Sequence, residues 1–243
     1  MKPAKGDSMK PAKGFYVLPN LFTSAGLFAG FYAIIQARLG HYEAACLAIY
    51  VAMAMDIIDG RLARLTNTMS DFGSEYDSLS DMVSFGVAPA LVLYDYALAD
   101  LGRVGSLVAF IYLACAALRL ARFNVASSSD KRYFTGMPSP GAAAIVASVV
   151  WACIDYGIEP ERVNVGLLIL MASLALAMVS NIKYRSFKDV DFRDKIPFIG
   201  LILLVLVIAM IYLDPPLAFL MIGVIYIVSG TANWAIKAVR RFR

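Results

Sequence analysis

The chain has 243 residues, of which 60% are hydrophobic and only 16% are charged, and its mean hydropathy is +0.69. These proportions exclude an ordinary soluble domain and indicate a membrane protein with several spans. The net charge of +4 is modest, and the three cysteines lie in apolar runs without metal-like spacing. We therefore expect membrane lipids rather than nucleic acid as partners, and no disulfide framework.

The N-terminus carries a short duplication, with the letters MKPAKG at 1–6 and again at 9–14. A stretch so rich in Lys, Pro and Gly predicts a disordered tail or a repeat introduced for expression. It runs into a full-length apolar span without a small-residue cleavage pattern, so no cleavable signal peptide is expected. Residues 15–243 are then interpreted as a single integral-membrane domain.

Apolar runs long enough to cross a bilayer follow one another along the rest of the chain. A transmembrane helix needs about 20 residues. The hydropathy pattern predicts an all-α, polytopic helix bundle with spans near 18–37, 42–62, 77–98, 104–124, 140–157, 163–182, 196–213 and 216–237.

The basic residues predict how this bundle is oriented. Of 22 Lys and Arg residues, the eight-span arrangement leaves only Arg38, Arg103 and Arg162 on one side and the other 19 on the opposite side. Cytoplasmic loops carry the excess of basic residues. Both termini are therefore predicted to lie in the cytoplasm, together with the loop between the second and third spans.

Four aspartates, Asp56, Asp59, Asp77 and Asp81, mark the most informative stretch of the sequence. Carboxylates at membrane depth are costly unless they are paired, bind a metal or face a cavity, so they are functional candidates. Spacings of three and four residues place each pair on one face of its helix. Two antiparallel neighbouring helices would bring both pairs together near the cytoplasmic side.

Four clustered carboxylates repel one another unless cations bridge them. Oxygen ligands select hard divalent ions, so we expect two divalent cations, Mg²⁺ or Mn²⁺ with Ca²⁺ as an alternative occupant. Gly60 and Gly73 lie where the backbone must pass close to a ligand or another helix. Arg64 follows two turns after Asp56 and offers donors to phosphate oxygens, which favours a diphosphate substrate.

These residues carry a family resemblance. The pattern Asp56-x-x-Asp59-Gly60-x-x-Ala63-Arg64, then eight residues, then Gly73-x-x-x-Asp77-x-x-x-Asp81, resembles the complete signature of the CDP-alcohol phosphatidyltransferases. The resemblance implies an enzyme that moves a phosphatidyl group from a CDP-linked lipid to an alcohol and releases CMP. It also implies that the single domain at 15–243 forms a homodimer.

The resemblance further implies a role for each matching position. Asp56, Asp59 and Asp77 would be metal ligands, and Asp81 would be the catalytic base and share a metal. The CDP-lipid would be bound by Asp56, Gly60, Ala63, Arg64, Gly73 and Asp77.

Looser motifs at 18–23, 118–125, 134–141 and 180–188 resemble those of the membrane-embedded phosphatidylserine synthases. They imply CDP-diacylglycerol and L-serine as substrates. Arg119 and Arg122 lie three residues apart on one helical face, which suits a carboxylate or phosphate. The candidate acceptor or phosphate contacts are Arg119, Arg122, Asn124, Thr135, Ser139, Lys183 and Arg185.

Alternatives remain open at this point. Glycerol 3-phosphate or an inositol compound could be the acceptor, and the basic residues could serve only to flank the spans or anchor headgroups. A protein of another class, an ion-coupled transporter, would also use intramembrane aspartates. It would need polar residues through the bilayer, which the last three spans almost lack. The expected location is a prokaryotic cytoplasmic membrane, with the active site facing the cytoplasm.

Overall fold

The computed structural model describes the backbone of residues 17–66, 68–125, 133–185 and 198–226, and the side chains of 18–66, 68–125, 136–182 and 200–226. Within these ranges the chain is almost entirely helical. The helices are α1 (Val17–Arg38), α2 (Tyr42–Leu65), α3 (Asp71–Leu101), α4 (Arg103–Val125), α5 (Ser139–Asp155), α6 (Pro160–Val179), α7 (Phe198–Leu213) and α8 (Pro215–Tyr226).

These eight helices correspond one to one with the predicted spans, which confirms the helical part of the prediction. In the described residues, four of them, α1, α3, α4 and α6, are long and apolar enough to cross a membrane. The other apolar helices are shorter, and α2 carries several charged residues in its last turns. Residues 1–14 and the predicted end of the last span, 227–237, lie outside the described residues.

Two short strands are an addition to the predicted all-α fold. Strands β1 (Tyr133–Thr135) and β2 (Lys183–Arg185) pair antiparallel, with Thr135 opposite Lys183. Gly136 follows β1 with φ of +84°, and a Cβ there would lie 2.2 Å from the carbonyl oxygen of Met178. Only glycine fits this turn, which therefore ties the start of α5 to the end of α6. Three-residue strands carry too little periodicity for sequence analysis to predict them.

Helix α1 packs closely against both neighbouring helices. A Cβ on Gly30 would lie 2.5 Å from Ser84 Oγ and 2.7 Å from Ser84 Cα. The backbones of α1 and α3 are therefore in close contact at this point. Small residues permit such close approach in membranes, where van der Waals packing drives helix association. Buried alanines line α1 and α2 in the same way, at positions Ala29, Ala33, Ala37, Ala45, Ala48 and Ala52.

Helix α3 is not a regular α-helix throughout. It is α-helical over Asp71–Asp81 and Ala88–Leu93, with π-helical turns at Met82–Val87 and Tyr94–Leu98 and a closing 3₁₀ turn. Pro89 follows the first π-helical turn, and its missing N–H removes one backbone donor from this part of the helix. The Tyr112 hydroxyl donates to the carbonyl oxygen of Phe85 at 3.3 Å and so joins α4 to this irregular part of α3.

Polar contacts join neighbouring helices at one end of the bundle. Arg38, at the end of α1, forms a 3.0 Å ion pair with Asp95 on α3, and the Tyr42 hydroxyl donates to the Asp95 carbonyl oxygen. The Tyr96 hydroxyl donates to the carbonyl of Ile158, in the turn before α6. The aspartates of the signature stretch lie toward the opposite end of α2 and α3, so the acidic site and this ion pair occupy different ends of the bundle.

Candidate active site

Helices α2 and α3 bring the signature aspartates together. One carboxylate oxygen from each of Asp56, Asp59 and Asp77 lies within 4.8 Å of the other two. Asp59 is only 4% exposed, and the other two residues are half-buried. The predicted convergence of two helical carboxylate pairs is therefore present for these three residues.

Asp81 belongs to the same place. It lines one cleft together with Asp56, Asp59 and Asp77. Its carboxyl group interacts electrostatically with those three aspartates and with Arg119. All four signature carboxylates thus face one cleft, with a cationic side chain beside the fourth.

The connection between α2 and α3 fixes the relative position of the aspartates. The N–H of Thr68 bonds the carbonyl of Ala63 at 3.1 Å, which tightens the end of α2. Ser70 then caps α3, its hydroxyl accepting a 3.0 Å hydrogen bond from the N–H of Gly73. An N-cap serine satisfies an otherwise unpaired N–H and defines where a helix begins. Asp77 lies just beyond the first turn of the helix that begins here.

The two signature glycines have different surroundings. A Cβ on Gly60 would meet only the Arg64 guanidinium, at 3.9 Å, among the described residues. Packing among the described helices therefore does not explain Gly60, and these helices leave space beside it for a ligand. A Cβ on Gly73 would lie 3.2 Å from Ser70 Oγ and 3.5 Å from Asn20 Oδ1, so Gly73 allows the start of α3 to approach α1.

Arg119 stands out among the predicted acceptor contacts. Its Nη1 donates to the buried hydroxyl of Ser139 at 3.0 Å, which joins α4 to the start of α5. Its Nε is buried without a hydrogen-bond partner among the described residues. Buried donors are rarely left unpaired, and such a group deserves an explanation. A guanidinium that has a spare buried donor and interacts electrostatically with Asp81 is suited to an anionic ligand.

The other predicted acceptor residues lie farther out. Arg122 donates to Asn181 Oδ1 at 2.9 Å, and Asn124 exchanges hydrogen bonds with Ser78 at 3.0 and 3.2 Å, in exposed positions. The first pair joins the end of α4 to the segment after α6, and the second joins the end of α4 to the first half of α3. Thr135, Lys183 and Arg185 have their backbone in the two strands, and their side chains lie outside the described residues.

Sequence analysis missed the contribution of α1. Thr23 is buried, and its hydroxyl donates to Asp59 Oδ2 at 2.7 Å. Ser80 donates to the carbonyl of Thr23 at 3.2 Å, and Ser84 donates to that of Gly26 at 3.1 Å. The available signals were Thr23 at the end of the motif at 18–23 and the four-residue spacing of Ser80 and Ser84, but their partners could not be assigned without the fold.

The carboxylate cluster fits a hard divalent cation. Opposite oxygens around Mg²⁺ are about 4.2 Å apart and those around Ca²⁺ about 5 Å apart, given the usual metal–oxygen distances. The three aspartate oxygens lie within 4.8 Å of one another, which is no wider than the separation of two oxygens on opposite sides of a Ca²⁺ ion. An all-carboxylate donor set also matches the preference of Mg²⁺, Mn²⁺ and Ca²⁺ for oxygen.

Apolar helices of membrane length around a buried acidic cleft define an integral membrane protein with a polar site inside its bundle. The model of the CDP-alcohol phosphatidyltransferase family matches residues 16–179. The chain belongs to this family and is a phosphatidyltransferase.

Individual relatives agree with the family match. The chain is 36% identical to a CDP-diacylglycerol–serine O-phosphatidyltransferase of Helicobacter pylori, over 95% of this chain and 96% of the relative. It is 34% identical to the enzyme of that name from Bacillus subtilis, over 70% and 91% of the two chains. It is also 34% identical to an archaetidylserine synthase of Methanothermobacter thermautotrophicus, over 72% of each chain.

Proposed function

We propose that the protein transfers the phosphatidyl group of CDP-diacylglycerol to the hydroxyl of L-serine and releases CMP. The observation that carries this proposal is the convergence of three carboxylates within 4.8 Å, in a cleft that also contains Asp81. The names of relatives that match nearly the whole chain support serine as the acceptor.

The aspartates would hold the cofactor. Asp56, Asp59 and Asp77 are the proposed primary ligands of two divalent cations, and Asp81 is the proposed shared ligand. When bound, Mg²⁺ or Mn²⁺ would neutralise charge on the diphosphate and on the departing CMP. Without such neutralisation, the acidic cleft would repel the diphosphate of the substrate.

The remaining signature positions would bind the CDP-lipid. The open space beside Gly60 and the nearby Arg64 guanidinium support a diphosphate there. Ala63 and Gly73 would complete the pocket as small residues.

Asp81 would act as the general base. The serine hydroxyl oxygen forms the new bond to phosphorus as the bond from phosphorus to the CMP oxygen breaks. The hydroxyl proton passes to the Asp81 carboxylate, and CMP leaves with the electron pair of the broken bond. Asp81 suits this role because it faces the cleft but lies outside the group of three closest carboxylates.

Arg119 would bind the carboxylate of serine. Its buried, unpaired Nε and its hydrogen bond to Ser139 support this role, as does its position beside Asp81. Arg122, Asn124, Thr135, Lys183 and Arg185 would form the outer part of the acceptor or phosphate site.

The setting of the reaction is part of the same proposal. The basic-residue distribution supports an active site on the cytoplasmic side, and the bacterial and archaeal relatives support a prokaryotic cytoplasmic membrane. Membership of the family supports a homodimer, which light scattering of the detergent-solubilised protein would test.

Release of CMP by the purified protein tests the function directly. CDP-diacylglycerol is supplied with Mg²⁺ or Mn²⁺ and one acceptor at a time: L-serine, glycerol 3-phosphate, inositol or inositol phosphate. We expect metal-dependent CMP release that L-serine stimulates most strongly, with phosphatidylserine as the lipid product. Stimulation by another acceptor and not by serine would overturn the serine assignment, whereas no release with any acceptor would overturn the transferase proposal.

A further inference from the structure

Helix α1 supplies no signature residue, yet it contacts both helices that do. Thr23 lies nearly two turns inside α1 and is 5% exposed. Its neighbours across the helix interfaces are Asp59 on α2 and Ser80 on α3. Thr23 of α1 thus contacts both of the helices that carry the signature aspartates.

The hydroxyl of Thr23 makes the first of these contacts. Thr23 Oγ1 lies 2.7 Å from Asp59 Oδ2 and 3.2 Å from the carbonyl oxygen of Pro19. A hydroxyl has one proton, and the shorter contact leads to the charged acceptor, where hydrogen bonds are stronger. The proton therefore points to Asp59 and restrains the rotation of its carboxylate.

The backbone of Thr23 makes the second contact. Its carbonyl oxygen accepts a 3.2 Å hydrogen bond from Ser80, which lies between Asp77 and Asp81 on α3. One turn further along, Ser84 donates to the carbonyl of Gly26, and Gly30 brings the two helices into close contact. These bonds fix the register of α3 against α1, and thereby the height of Asp77 and Asp81 relative to Asp59.

We propose that Thr23 is a positioning residue for the metal centre: it orients the Asp59 carboxylate and couples that carboxylate to the helix of Asp77 and Asp81. This inference rests on the proposed function, because it presupposes that the aspartates hold divalent cations. Partners that orient metal ligands commonly account for 10- to 100-fold in affinity, by fixing the ligand before the ion binds.

Three variants isolate the hydroxyl. Thr23→Val replaces it with a methyl group of similar size, Thr23→Ser retains it, and Ser173→Ala is the control. Ser173 donates to the carbonyl of Ile169, four residues earlier on α6, away from the cleft. Binding of Mn²⁺ to each purified protein, without substrate, is measured by electron paramagnetic resonance of the free ion. The Mn²⁺ concentration for half-maximal CMP release is measured separately.

We expect Thr23→Val to weaken Mn²⁺ binding about 10-fold and to raise the half-maximal Mn²⁺ concentration by a similar factor. Thr23→Ser and Ser173→Ala should stay within about twofold of the wild type. If Thr23→Val does not purify as a folded protein, Thr23→Ala removes the same hydroxyl and takes its place.

The outcomes separate this inference from the proposed function. If the wild type binds Mn²⁺ and Thr23→Val binds it equally well, Thr23 is not a positioning residue and the metal centre stands. Equal weakening by Thr23→Val and Thr23→Ser would also reject the role of the hydroxyl. If the wild type itself binds no Mn²⁺, the proposed metal centre fails, and this inference fails with it.

Discussion

The carboxylate side of the cleft and its Arg119 side differ in how they are built. The four aspartates come from one stretch, Asp56–Asp81, and two consecutive helices joined by a short turn bring them together. Arg119 and its partner Ser139 come from two helices separated by a connection that includes β1. The first side therefore depends on local geometry, and the second depends on how distant segments pack.

This difference indicates which side of the cleft members of the family can have in common and which side can vary among them. Helical spacing and one capped turn bring the aspartates to one cleft, and hydrogen bonds to α1 then fix their relative position. The acceptor side can change its residues without disturbing those helices. We infer that the α2–α3 side serves the CDP-lipid and the α4–α5 side serves the alcohol, and substitutions on each side test this division.

The largest effect is expected on the carboxylate side. Asp77→Asn removes a negative charge from the three-oxygen cluster and should lower kcat for CMP release by about 100- to 1,000-fold, because charge stabilisation in a dry site is worth several kcal/mol. The matched control is Asp71→Asn, an exposed carboxylate in the first turn of the same helix. If both variants lost activity equally, the loss would reflect damage to α3 rather than to the metal centre.

A substitution on the other side should affect a different kinetic constant. Arg119→Gln removes the charge that would pair with the serine carboxylate, and should raise KM for serine about 10- to 100-fold, as expected for charged hydrogen bonds worth 1.5–3 kcal/mol. KM for CDP-diacylglycerol should change much less. Arg162→Gln, at an exposed arginine that forms an ion pair with Glu159, is the control. An equal rise in both KM values for Arg119→Gln would contradict the division of the cleft.

The close contact between α1 and α3 at Gly30 can be tested by measuring the stability of a variant. In Gly30→Ala the new methyl group would overlap Ser84, including its backbone, so α1 and α3 must separate. We expect a loss of about 1–3 kcal/mol in the free energy of unfolding, as for other overpacked sites. Thermal unfolding in detergent micelles gives the direction of the change.

The matched control for this variant is Gly166→Ala. Gly166 lies on α6, and a Cβ there meets nothing within 4 Å among the described residues. Its melting temperature should equal or exceed that of the wild type. A Gly30→Ala protein that melts at the wild-type temperature would show that the α1–α3 contact can relax without cost.

The smallest effect is expected at the rim of the acceptor side. Asn124 and Ser78 hydrogen-bond each other in an exposed region, so Asn124→Ala should change stability by less than about 0.5 kcal/mol, as surface substitutions usually do. KM for serine should stay within about threefold of the wild type. A larger rise in KM would show that Asn124 contacts the acceptor directly.

Local spacing explains why sequence analysis found the carboxylate side. Aspartates three and four residues apart share a helix face whatever surrounds the helix, and long apolar runs must form helices in lipid because their backbone groups need internal partners. The eight helices and the convergence of Asp56, Asp59 and Asp77 follow from these rules. The π-helical turns of α3 and the strands β1 and β2 do not, because they depend on packing against α1, α4 and α6.

The sequence by itself determined the helical membrane architecture, the acidic stretch and its family, because each rests on the type and spacing of neighbouring residues. Only the tertiary structure decided that Thr23 holds Asp59, that Ser80 joins α3 to α1, and that Arg119 keeps a buried donor beside Asp81. The two hydrogen bonds of Thr23 join residues 36 and 57 positions apart in the chain, and the helix packing alone determines that they meet.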